Sequence, residues 1–216
     1  MEPRPAAGWK RLVFSFMKAG AAVFISHLDL MTVFERAIMR AGYAARFTEG
    51  FNPKPRLEFA NPLSLGLESM EEIAGVDVYD FDSEETFLAR MNRSLPAGLT
   101  LLRASVAPHD GVSRRRSLMS LYWGADFELL GSSGDVHALR LPAHGASIRK
   151  TLEAEGTWQT TKATRLATWA SGPAGNPVSY FEALCPDSSA AADSSAPPSL
   201  RDSSARASLR DSSSLT

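Results

Sequence analysis

An α+β fold is predicted by three observations: short β-rich runs of alternating polarity, two capped helical stretches with apolar stripes, and strands on either side of each helix. Arg11–Met17 is the first strand, rich in β-formers and roughly alternating. Lys18-Ala19-Gly20 reads as a turn, and Val23–Ile25 as a brief extended piece. Ser26 then opens the strongest helix. It is a good N-cap, and Asp29 three residues on completes a capping-box variant. Leu30, Val33, Phe34, Ala37, Ile38 and Ala41 recur at helical spacing and make one apolar stripe. Gly42 follows as the natural C′ residue.

Tyr43–Phe47 is a second strand, Arg56–Phe59 a third and Glu72–Phe81 a fourth, with Leu63–Leu67 extended or loop. Asp82 or Ser83 caps a helix running to Arg93, with Phe87, Leu88 and Met91 inward. Pro96 and Gly98 break it, and Leu99–Val106 is a further strand. The succession matches a split βαβ, ferredoxin-like (βαββαβ) domain over residues 10–110, its helices covering one face of an antiparallel sheet.

Residues 111–185 read as a smaller α+β extension of the same domain. It holds a short helix near Ser117–Trp123, strands at Ala125–Leu130 and Val136–Leu141, a helix at Ser147–Glu155 and a strand at Trp158–Trp169. Residues 186–216 carry eleven serines and few large apolar groups, and are expected to be a disordered tail. Ser199–Ser204 recurs as Ser208–Ser213, two copies that fall short of a solenoid.

Net charge is −1, so no global field recruits nucleic acid or anionic membrane. The charge is uneven. Residues 10–60 hold eight Lys/Arg against four Asp/Glu, whereas 61–110 hold three against nine. The single cysteine, Cys185, excludes an internal disulfide framework and any multi-cysteine metal or iron–sulfur site within the chain. His27, His109, His137 and His144 lack metal-ligand spacing, and no dinucleotide, P-loop or nucleophile-elbow motif occurs, so no metal or cofactor is expected. No apolar run approaches a membrane span and the N-terminus lacks a secretory pattern. A soluble cytoplasmic protein is the expectation.

Two stretches carry chemistry. His27, at the first helical position, lies beside unpaired backbone amides, where the helix dipole disfavours imidazolium. A neutral ring there suits proton transfer or a phosphate contact; equally, it is a surface histidine bonded to a neighbouring loop. Ser26 and Asp29 stand with it as candidate binding residues, although capping alone explains Asp29. The second stretch is Gly50-Phe51-Asn52-Pro53-Lys54-Pro55-Arg56. Its prolines push Asn52 and Lys54 into extended conformations, so Lys54 and Arg56 lose less entropy on gripping an anion. Phe51 either plugs the core or offers a stacking surface for single-stranded RNA. Arg114-Arg115-Arg116 is a solvated linker or a nucleic-acid contact.

At Ser26–Met31, Phe34–Ala37 and Gly50–Arg56, with Leu63–Gly66 and Leu95–Leu99 following in order, the chain resembles the radical SAM-linked (DUF2344) family over about residues 10–130. That resemblance implies an accessory module of a radical SAM partner protein, with no activity assigned to the domain itself. Lacking a C-x3-C-x2-C motif, the chain is not itself a radical SAM enzyme. The leading expectation is a module that binds RNA or the radical SAM partner through a face built from His27, Phe51, Lys54 and Arg56. One alternative is an RNA-processing enzyme with His27 as general acid/base and Lys54 or Arg56 on the phosphate. Another is a protein-binding scaffold that presents an exposed apolar patch.

Overall fold

Alternating residues of β1 (Lys10–Lys18) bury both of its faces: Leu12, Phe14 and Phe16 on one, Arg11, Val13 and Ser15 on the other. A strand buried on both sides must be covered on both sides, and that requirement organises the whole domain. A computed structural model describes residues 8–108, 116–131, 135–142, 148, 150–151 and 162–185.

After β1 the chain forms a 3-10 helix, Gly20–Phe24, where local sequence suggests a turn and an extended piece. A tertiary contact selects the coil. Ala19 N–H donates to Gly98 O at 2.9 Å, and a Cβ at Gly98, whose φ is +86°, would stand 2.4 Å from the Ala19 carbonyl oxygen and 2.9 Å from Ala22 Cβ. Only glycine lets the two turns approach so closely.

Helix α1 (His27–Arg40) follows the expected stripe, burying Leu30, Phe34, Ala37 and Ile38. It ends in a Schellman pair, Tyr43 N–H to Ile38 O and Gly42 N–H to Met39 O, both 3.1 Å. The next strand is much shorter than the expected Tyr43–Phe47. β2 (Ala44–Ala45) pairs with β4 (Glu68–Tyr79) for two residues, and the chain then leaves the sheet. It returns as β3 (Leu57–Phe59), which resumes pairing on the same edge of β4 at Leu57↔Val76. Residues 46–56 are thus an excursion between two pieces of one sheet edge.

Helix α2 (Glu84–Ser94), capped by Ser83, buries Phe87 and Met91, and β5 (Leu99–Ala107) pairs antiparallel with β1. Beyond it lie α3 (Leu118–Leu121), β6 (Tyr122–Leu130), β7 (Val136–Pro142), β8 (Lys162–Ser171), β9 (Pro177–Ser179) and α4 (Tyr180–Leu184). All nine described strands join one mixed sheet of order β5-β1-β4-β8-β6-β7, with β2 and β3 on β4 and β9 on β8. The pairing of β4 with β8 is parallel, so the sheet is not purely antiparallel.

The two helices of residues 10–110 share one face of the sheet, and helices from beyond residue 110 cover the other. On one, α1 and α2 cover a cluster in which Phe34 lies 5.6 Å from Phe14, 4.9 Å from Phe16 and 5.6 Å from Phe59, ring to ring. On the other, Leu118 and Leu121 of α3 and Tyr180 and Phe181 of α4 pack on Val13 and Ile73. There Arg11 pairs with Asp77 and Glu58, and the Tyr180 hydroxyl donates to Leu118 O at 2.9 Å. Of the expected helix at Ser147–Glu155, residues 148, 150 and 151 are described and helical. His109, Arg114, Arg115, His144, residues 158–161 and the expected disordered tail at 186–216 lie outside the described residues.

Candidate functional site

The excursion from Arg46 to Arg56 is a closed hairpin. Arg56 N–H donates to Arg46 O at 2.7 Å, Phe47 and Pro55 form a bridge, and Thr48 clamps Lys54 from both directions. Thr48 N–H donates to Lys54 O at 2.8 Å, while Thr48 Oγ1 accepts from Lys54 N–H at 3.0 Å. Gly50, at φ +132°, supplies a backbone conformation that side-chain-bearing residues avoid. At the tip Asn52 and Lys54 are exposed, and the Phe51 ring stands wholly in solvent. The core-plug reading of Phe51 is therefore excluded. Phe47 is half exposed, and the Arg46 guanidinium lies 4.4 Å over the Trp9 ring. Arg56 is partly buried, and its Nε has no hydrogen-bond partner among the described residues.

Ser26, His27 and Asp29 come together at the N-terminus of α1. Ser26 Oγ accepts from Asp29 N–H at 3.2 Å, which caps the helix, and its hydroxyl donates to Asp29 Oδ2 at 2.7 Å, which fixes the two side chains together. His27 is half-buried and sits edge-on to Phe59, ring centroids 5.4 Å apart at 82°. Burial first, and then the Lys18 charge, hold its imidazole below the ordinary 6.5. The unfolded chain therefore binds this proton more tightly. His27's share of the stability is complete above pH 6.5 and declines as pH falls from there through the folded value. His27→Gln should flatten the drop in urea midpoint between about pH 7.5 and about pH 5.5, compared with the parent chain. An unchanged drop would place the titration elsewhere.

Arg56 and His27 do not share a face of the sheet. Asp77 N–H donates to Arg56 O, so Arg56 continues the β3 ladder. Side chains alternate along it, which sets Arg56 with Glu58, on the α3 side, opposite Leu57 and Phe59. His27 packs on Phe59, on the α1 side.

A third constellation escaped the sequence reading. Lys18, Glu72 and Arg165 are 2%, 4% and 3% exposed and gather where β4 passes from β1 to β8. Arg165 Nη1 donates to Glu72 Oε1 at 3.0 Å and to Asn61 O at 2.9 Å, and its guanidinium lies 5.6 Å from the Phe127 ring centroid. Lys18 Nζ donates to Ile25 O, just before the α1 cap, at 2.9 Å. Burial pushes the Glu72 carboxyl up, against the pull of Arg165, Ser69 and Lys18. It pushes Lys18 down, with Glu72 opposing and Arg165 adding to the effect. One signal was available: Lys18 lies two residues beyond Phe16, in phase with the inward positions of β1, where a cation needs a buried partner.

With fold and site in view, the class is a mixed α/β domain carrying an aromatic–cationic hairpin and a separate buried charge cluster. The family described as an uncharacterized protein conserved in bacteria (DUF2344) matches residues 11–168, and the chain belongs to that family. The match runs past residue 130, where the sequence-level resemblance fades, and takes in β8 with Arg165. No curated protein matches the chain. Among the described residues, no group of three or more His, Cys, Asp or Glu could hold a metal ion, and no helix is long and apolar enough to cross a membrane.

Proposed function

We propose that the chain is a cytoplasmic accessory module of a radical SAM partner, and that it binds single-stranded RNA through the 46–56 hairpin. Residues 10–110 act as a ferredoxin-like core: β1, β4 and β5, with β2 and β3 together as the remaining strand, pair antiparallel in the order that architecture requires. Residues 111–185 extend the same sheet through β8. The observation that carries the RNA reading is the solvent-held Phe51 ring beside Asn52 and Lys54, with Arg46 and Arg56 at the hairpin base. An apolar ring held outward beside cations suits a base to stack on and phosphates to neutralise.

The enzymatic alternative needs Lys54 or Arg56 to meet His27 on one phosphate; strand alternation sets Arg56 on the opposite face of the sheet, which leaves Lys54 as its cation. Ser26 and Asp29 are engaged with each other in the cap. The test is fluorescence anisotropy of the full chain with a labelled single-stranded RNA. Phe51→Ala should weaken binding by roughly 5- to 150-fold, the range for losing one base–aromatic stack. Lys54→Ala should reduce the salt slope by about 0.7. Unchanged affinity in both variants would remove the hairpin from any RNA site. Retained binding to a radical SAM protein alone would favour the scaffold reading.

A further inference from the structure

Two buried cations, Lys18 and Arg165, face one buried carboxylate, Glu72, which accepts from Arg165 and attracts Lys18 through space, so the cluster holds two cations to one anion. Lys18 and Arg165 sit level in the sheet, since Lys18 pairs with Ser69 and Ser69 pairs with Arg165. Their Cα atoms are thus two strand spacings apart, about 10 Å. The donors are also in excess. An ammonium carries three N–H groups, and Lys18 places one, on Ile25 O, among the described residues. The Nε of Arg165 is buried with no partner among them. Buried donors without acceptors are rare in folded proteins and mark a place where an acceptor belongs.

The carbonyl that holds Lys18 belongs to the residue before the Ser26 cap, so the ammonium lies at the N-terminal end of the 14-residue α1. The first-turn amides of that helix, from His27 and Leu28, have no intrahelical acceptor, and the dipole adds positive potential. His27, half-exposed and within electrostatic reach of Lys18, is the part of the cluster that solvent reaches. Exposed Phe24 and Leu28 lie on either side of it in the chain and offer an apolar surface to whatever carries the charge.

We propose that Lys18, Arg165, His27 and the first turn of α1 form a binding site for a phosphate-class oxyanion. The excess charge and donors favour an acceptor-only group with several oxygens, and a helix N-terminus flanked by cations is the arrangement that holds one. Glu72 keeps Lys18 and Arg165 ionised and in place. This site is separate from the hairpin and does not depend on the RNA reading: Phe51→Ala leaves it intact.

The experiment is a titration of the full chain, at constant ionic strength, with inorganic phosphate and, as control, chloride, following the His27 ring resonances by NMR. Phosphate is expected to shift them saturably and chloride not. Arg165→Lys keeps the charge and the salt bridge but loses the planar fork, and should weaken phosphate binding by about tenfold, the loss of one charge-assisted hydrogen bond. Lys18→Met is expected to abolish it. Should Lys18→Met fail to fold, Arg165→Lys and His27→Gln decide the matter through thermal shift in phosphate. Adenosine 5′-monophosphate binding more tightly than inorganic phosphate would make the ligand a nucleotide; the reverse would make it free phosphate. No saturable shift, or one equal in Arg165→Lys and the parent, overturns the site.

Discussion

Phe34→Ala is expected to lower the unfolding free energy by about 3–5 kcal/mol. Its ring is fully buried and meets Phe14, Phe16 and Phe59 at 5.6, 4.9 and 5.6 Å, so it joins α1 to both β1 and β3. Removing it deletes three aromatic contacts and opens a cavity in a position flanked by strands that cannot close in. Urea denaturation of the full chain measures the loss. Phe34→Leu, which keeps much of the volume, should lose clearly less. A Phe34→Ala midpoint close to the parent's would mean that α1 is not seated on this cluster.

Glu72→Leu is expected to be comparably severe, at about 3–5 kcal/mol, for an electrostatic reason. The carboxylate accepts from Arg165 and feels the Lys18 charge, and its removal leaves two cations that are 2% and 3% exposed. The compensated double variant Glu72→Leu with Arg165→Met tests this cause. It should recover part of the loss, because the desolvated guanidinium goes with its partner. A double variant less stable than the single would show that packing around Arg165, including its approach to Phe127, dominates.

The two predictions differ in how far the sequence foretold them. Phe34 belongs to α1, where N-cap, apolar stripe and closing glycine all lie within seventeen residues and agree. Such a helix is legible because its determinants are local. Glu72 is another matter. Its strand begins at Glu68, ahead of the expected Glu72, because Glu68 and Ser69 pair with Thr164 and Arg165, 96 residues away. No window around residue 68 contains that information. The 3-10 turn at Gly20–Phe24 is set likewise by contact with Gly98.

The hairpin was half legible. Its prolines, glycine and cations announced a stiff connection, and left the Phe51 ring free to point into the core or away from it. Its direction follows from β4, whose edge is occupied first by Ala44–Ala45 and then by Leu57–Phe59, which forces the intervening residues outward. The same register explains why His27 and Arg56 part company: a single-residue phase along β3 decides which face each one serves.

The most direct test of the hairpin as recognition element is a backbone amide NMR map of the full chain titrated with a short single-stranded RNA. The largest shifts are expected on Arg46–Arg56, with Phe51 ring protons moving upfield as a base stacks on them. A map in which those residues stay still while another surface responds would contradict it.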